Sequence, residues 1–301
     1  YMISEIIELG KRIYDTSNSR EIHRLVVFLG RSLLHYSGMK SLQQFFAEDE
    51  LRQRILERNP FPMEQATRAF FYNGSTFEER KRLIQQHYEI LQQKMTAEMV
   101  LTLSMHGDYE IWHSADEDID WRTNLAMEPG QRKEGMLSLQ MKLGTDNLYQ
   151  IMFWLAEDKA GEKSLWIGAM QGPNIDNAKD IIKDITKRSF RYRTKNLILY
   201  MTMAVARALA VKHIYAVSND GYYANNHVRR DRKLKTDFGA FWEEAGGHIT
   251  DDSRFYEIPL VEPRKTMEEV PTRKRAVYRK RFTFLDEVDA TIQQNMEQIL
   301  K

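Results

Sequence analysis

The stretch from Ser164 to Gly247 constrains the fold most. It begins with an apolar run at 165–170 and a Gly172-Pro173 turn. Two helical patterns follow at about 177–187 and 195–210, then a second apolar run at 214–218 that ends in Ser218-Asn219. Short apolar runs bounded by turn residues read as strands, so this order closes into a compact α/β unit. Its polar residues gather at element ends, where sites are built.

The N-terminal third is helical in pattern. Ile3, Ile6, Ile7 and Ile13 form one apolar stripe, and Leu25, Val26, Phe28, Leu29, Leu33 and Leu34 form another. Asn59-Pro60-Phe61-Pro62 breaks the chain, because each proline pushes the residue before it out of helical geometry. Ser75 and Glu78 have capping-box spacing for a helix at 77–95. From about residue 97 the apolar period becomes two. Runs at 101–105, 137–143, 148–155 and 165–170 then read as half-buried strands, the last three as an antiparallel meander. A helix at about 236–245, a strand at 255–260 and a final helix complete the chain. The final helix carries a seam of Leu285, Val288, Ile292, Met296 and Ile299, which packs on the body or on a second copy in a homodimer. The expectation is an α+β protein, with a helical N-terminal region at 1–96 and a mixed-sheet core with flanking helices at 97–301.

A chain of 301 residues with 42% hydrophobic and 29% charged residues has material for a sizeable core. The absence of cysteine excludes disulfides, thiolate metal sites and a cysteine nucleophile. No apolar run approaches the roughly 20 residues needed to span a bilayer. The N-terminus does not read as a signal peptide, and a cytoplasmic protein is expected. The net charge of +1 hides local bunching: Arg191–Lys195, Arg229–Lys235 and Arg273–Arg281 are basic, whereas Glu117–Asp120 and Asp251-Asp252 are acidic.

The phrases IGAMQGP (167–173), LYMTMAVARALAVKHIYAVSN (199–219), DFGAFWEEAGG (237–247) and VPTRKRAVYRKRFTFLDEV (270–288) resemble the VirK/YbjX family of Gram-negative bacteria. ERKRLIQQHYEILQQKM (79–95) fits that family's helical half. The resemblance implies a cytoplasmic protein linked to virulence and to resistance against antimicrobial peptides, without a defined reaction. The order of three-strand meander, helix and strand is also similar to the GNAT-type acyltransferase core. There a loop and helix N-terminus after the fourth strand grip the pyrophosphate of an acyl carrier. This chain lacks the glycine-rich phosphate loop of that fold and inserts an extra helix at about 177–187.

On that likeness Arg191, Arg193 and Lys195, entering a helix start, would hold the phosphates of coenzyme A or another acyl carrier. The bland alternative is a solvated charged face. Gln171 and Asn219, at the ends of the two apolar runs, would orient an acyl carbonyl, or simply make turns. Asp220 or His227 would handle the proton, although Asn219-Asp220-Gly221 is also turn chemistry and the arginines after His227 would hold its pKa down. His106 and His113 fit no metal template, and no metal is expected. The sequence lacks GxSxG, Walker and GxGxxG motifs. Two functions remain open. One is acyl or aminoacyl transfer to an amine or hydroxyl of a peptide or lipid-derived substrate. The other is non-catalytic binding, with Arg229–Lys235 and Arg273–Arg281 meeting lipid headgroups, lipopolysaccharide phosphates or nucleic acid.

Overall fold

The computed structural model describes residues 2–225 and 237–301. Seven helices come first: α1 (Met2–Ile13), α2 (Ser19–Leu34), α3 (Tyr36–Ala47), α4 (Glu50–Arg58), α5 (Phe61–Thr67), α6 (Phe77–Lys94) and α7 (Ala97–Ser104). A five-strand meander follows, β1 (Asp108–His113), β2 (Trp121–Ala126), β3 (Leu137–Leu143), β4 (Asp146–Glu157) and β5 (Lys163–Gln171). The chain then crosses through α8 (Ala178–Arg188) and α9 (Thr194–Ala208) to β6 (His213–Val217). It ends with α10 (Phe238–Glu244), β7 (His248–Ile249), β8 (Phe255–Ile258) and α11 (Arg275–Glu297). The eight strands form one mixed sheet in the order β1-β2-β3-β4-β5-β6-β8-β7, in which β5 and β6 run parallel and the other neighbours antiparallel. The α+β class holds.

Local chemistry explains where the elements start. Arg58 ends α4, and the Asn59–Pro62 break restarts the chain as α5 with Pro62 in the first turn, where its missing N–H is not needed. The capping box of α6 uses Thr76 and Glu79 rather than Ser75 and Glu78. The Glu79 N–H donates to Thr76 Oγ1 at 3.2 Å and the Thr76 N–H to Glu79 Oε1 at 2.9 Å. The segment STFEE offers the same spacing in two registers, and the second one forms.

Two expectations fail. Residues 101–105 are not a strand: they lie in and just after α7, whose Thr96 cap accepts from the Met99 N–H. Five alternating residues fit a short helix as well as a strand, and Val100, Leu103 and Ser104 are buried at helical spacing. The meander is also longer than three strands, since β1 and β2 precede it. The strong acid content between them hid the pattern.

One hydrophobic core runs from Ile6 to Ile299 and joins the helical region to the sheet. The seam of α11 is buried within the chain, Leu285 and Ile292 wholly so, where α11 packs on α9 and β1. At α6, His87 is completely buried and accepts the Leu155 N–H at 3.0 Å. Burial lowers its pKa to about 3, so it serves as a neutral acceptor.

Candidate functional site

The parallel ladder of β5 and β6 pairs Ser164 with His213 through Ile167 with Ala216 and then ends. Strand β5 continues to Gln171, paired only toward β4. At the parting point β5 carries an extra residue, Gly168, between Ile167 and Ala169, a bulge that bends the strand. A Cβ on Gly168 would collide with the Glu134 carbonyl, so glycine lets the loop before β3 cross the strand closely.

That crossing delivers a carboxylate. Glu134 is 7% exposed; one oxygen accepts the Tyr222 hydroxyl at 3.0 Å and the other, Oε2, has no hydrogen-bond partner. Burial raises its pKa to about 7, against the smaller lowering effects of the Tyr222 hydrogen bond and the Lys133 charge. Tyr222 sits in the turn that follows β6, where the N–H groups of Gly221 and Tyr222 donate to the Ser218 carbonyl. A loop before β3 and a turn after β6 therefore meet where the parallel strands part. Glu134 gave no sequence signal beyond its neighbour Gly135, because a lone glutamate in a polar loop has no periodicity to mark it.

The residues expected from the sequence are placed differently from one another. Gln171 is exposed at the end of β5. Arg191 and Arg193 are exposed before α9, Arg193 lies 3.9 Å from Glu244 of α10, and the Lys195 ammonium sits 5.0 Å from the Phe241 ring centroid. Phe190 and Arg191 both have positive φ, at 55° and 62°, which is strained for residues with side chains. Arg281 of α11 holds this loop by donating to the carbonyls of Phe190 at 3.1 Å and Arg191 at 3.2 Å. The Arg273–Arg281 group thus abuts the basic loop at the start of α9.

Asn219 is committed to structure: its Oδ1 accepts the Phe238 N–H at 2.8 Å and its amide donates to Asp237, the cap of α10. Asp220 uses its backbone carbonyl to accept from the Asn73 amide, and its side chain is exposed. His227 and Arg229–Lys235 lie outside the described residues. His106 bonds the Met127 carbonyl and His113 bonds Ser114 and Asp120, so each has its own local partners.

A cleft of about 860 Å³ opens on the α6 side of the sheet. Trp154, Trp166 and Tyr215 stand in register on three adjacent strands and, with Tyr72 and Phe255, form an aromatic floor. Trp166 lies 4.4 Å from Tyr215 and 5.0 Å from Phe255, centroid to centroid. Next to Asp158 and Glu257 of the cleft lining, His213 is set among Glu257 at 3.0 Å, Glu162 at 3.2 Å and Asp158 at 3.7 Å. Burial works against its charge, yet the hydrogen bonds to Glu162 and Glu257 and the nearby carboxylate charges raise its pKa. Asp158, Glu162 and His213 have the spacing of metal ligands, but Asp158 already accepts the Tyr215 hydroxyl and the N–H groups of Ala160 and Glu162. Among the described residues, none of the site residues expected from the sequence lines this cleft. Aromatic residues at same-face positions of neighbouring strands were the available signal for it.

A family profile described as "Protein of unknown function (DUF535)" matches residues 17–294. The chain is 30% identical over 216 residues to the uncharacterized protein YbjX of Escherichia coli K12, covering 69% of this chain and 65% of that one. It is 25% identical over 177 residues to an uncharacterized protein of Haemophilus influenzae, covering 59% and 58%. A protein of Mannheimia haemolytica named membrane protein LapB is 23% identical over 214 residues, covering 69% and 85%. The chain thus spans less than two thirds of the length of the first two relatives. No solved structure matches. Among the described residues no helix is long and apolar enough to cross a membrane.

Proposed function

The chain belongs to the VirK/YbjX family, matched as DUF535, and within it we propose a cytoplasmic GNAT-like acyl or aminoacyl transferase acting on an amine or hydroxyl of a peptide or lipid-derived substrate. The observation that carries this reading is Glu134: a buried carboxyl with a pKa of about 7 and one oxygen without a hydrogen-bond partner, at the parting of the parallel strands. A general base works best when its pKa lies near the working pH. Strand ends in mixed α/β sheets, where neighbouring strands separate, are where ligands are received. The strand order around β5 and β6 supports the likeness to the GNAT core, as fold analogy only.

In this reading an acyl carrier such as coenzyme A supplies the activated acyl group when bound. The N-terminus of α9, with Arg193 and Lys195 beside its first N–H groups and Arg191 just before, suits its phosphates. Gln171, at the end of β5 that pairs with β4 alone, orients the acyl carbonyl. Glu134 takes the proton that the acceptor nitrogen or oxygen loses as it attacks, and Tyr222 fixes the carboxyl's position. Asp220, with a solvated side chain, is the weaker candidate for that role.

A second reading rests on a specific observation. Arg193 keeps 69% of its side chain exposed, and the large cleft does not reach it. Arg279 and Lys280 of the Arg273–Arg281 group are likewise exposed on α11, and cations of this kind suit an anionic partner such as a lipid headgroup, a lipopolysaccharide phosphate or nucleic acid. Calorimetry with coenzyme A and with phosphatidylglycerol vesicles separates the two. Coenzyme A binding that Arg193→Ala weakens supports transfer; vesicle binding without coenzyme A binding supports the surface reading.

A further inference from the structure

The aromatic cleft between α6 and the β8 end of the sheet lies outside the proposed carrier grip and calls for its own ligand. Its lining carries six carboxylates, Glu79, Glu157, Asp158, Asp251, Asp252 and Glu257, against Arg82, Lys159 and Arg254 and the imidazole of His248. Some of these charges are answered within the fold. Asp252 holds Arg254 through two bonds of 2.8 and 2.9 Å, Glu257 holds His213, and Glu79 belongs to the α6 cap. Glu157 and Asp251 are exposed and make no ion pair among the described residues; the exposed Arg82 and Lys159 make none either. Three more acidic than Lys or Arg side chains therefore line the cleft, with Glu157 and Asp251 among the exposed ones.

The floor beneath it also favours a cation. An aromatic face attracts an ammonium or guanidinium through its quadrupole, most strongly for tryptophan and where water is partly excluded. The protein already uses its own floor in this way, since the Arg254 guanidinium lies 4.9 Å from the Tyr72 ring centroid and 5.9 Å from that of Phe255. Trp166 and Tyr215, half-buried at the centre of the floor, pack on each other with ring centroids 4.4 Å apart, and no Lys or Arg lies over either ring among the described residues. The space of about 860 Å³ suits a ligand of several residues rather than a single small ion.

We propose that this cleft binds a ligand bearing alkylammonium groups, with its methylene chain along the aromatic floor and its ammonium groups answered by Glu157 and Asp251. Such groups come from lysine side chains of a peptide or from a free polyamine. The proposal concerns binding alone and stands whether or not the acyl-transfer reading holds.

Isothermal titration at low salt with trilysine, its Nε-acetylated counterpart and spermidine tests it, alongside the Glu157→Lys/Asp251→Lys variant. Native near-ultraviolet dichroism of that variant checks its fold, and both changes lie at exposed positions. Trilysine or spermidine should bind with quenching of tryptophan fluorescence; acetylation or the double variant should weaken binding by about tenfold or more. Binding of trilysine without spermidine assigns the cleft to peptides, and the reverse to polyamines. Equal binding of native and acetylated trilysine overturns the proposal. So does undiminished binding by the folded double variant, or no binding of either amine at millimolar concentration.

Discussion

Glu134 joins a stability effect to a functional one, and the two have separable pH signatures. Its pKa rises from 4.5 in the unfolded chain to about 7 in the fold. Below pH 4.5 both states hold the proton and the group contributes nothing. Between the two values the folded state alone retains it, so stability falls as pH rises through this window and stays lowered above pH 7. The full effect is about 3 kcal/mol at 1.36 kcal/mol per unit. Glu134→Gln should therefore raise the denaturation midpoint at pH 8 while changing little near pH 4.5, which urea melts at both pH values measure. Both side-chain bonds of Asn219 go to the start of α10. Removing its bonds at the start of α10 by Asn219→Ala should lower stability by about 1 kcal/mol, as for a lost helix cap, without altering ligand binding. Sequence singled out Asn219 and Asp220 because polar residues after an apolar run look like site residues. The turn and cap that use Asn219 depend on a helix that begins 19 residues later, a partner no local pattern reveals.

The loop between α8 and α9 is the element on which the two functional readings divide. Two residues with positive φ and two bonds from Arg281 hold it, so its shape depends on α11. Arg281→Ala should loosen the loop and weaken any phosphate ligand of α9, while Arg193→Ala should weaken it by about 1–3 kcal/mol through loss of a charged hydrogen bond, both read by calorimetry. If the partner is instead an anionic surface, Arg279→Glu/Lys280→Glu should abolish binding, and the wild-type affinity should drop steeply with added salt. The elements themselves were legible to different degrees. α9 and β4 declared themselves by long periodic runs, whereas the five residues at 101–105 suited either period and folded as the end of α7. β1 and β2 escaped because a bulge between Glu110 and Trp112 and the acidic turn between the strands break their alternation.

Across the whole molecule one core links the first helix to the last, so the chain should unfold as a unit. Ile292→Ala in α11, a wholly buried position, should cost about 2–5 kcal/mol and shift a single transition rather than create a second. The α+β class, the strand–helix–helix–strand unit and the basic loop were readable because each rests on local runs and turns. The carboxylate at the strand parting was not, because it is assembled from a loop before β3, a bulge in β5 and a turn after β6, which only the tertiary fold brings together. That assembly is the central claim, and acyl transfer from acetyl-coenzyme A to a primary amine, followed by thiol release across pH 5.5–8.5, tests it most directly. The rate should rise with pH to a plateau above the Glu134 pKa of about 7. Glu134→Gln should lower that plateau by about 100-fold or more while coenzyme A binding persists. Thiol release no faster than in buffer, or a Glu134→Gln variant as fast as the wild type, would contradict it.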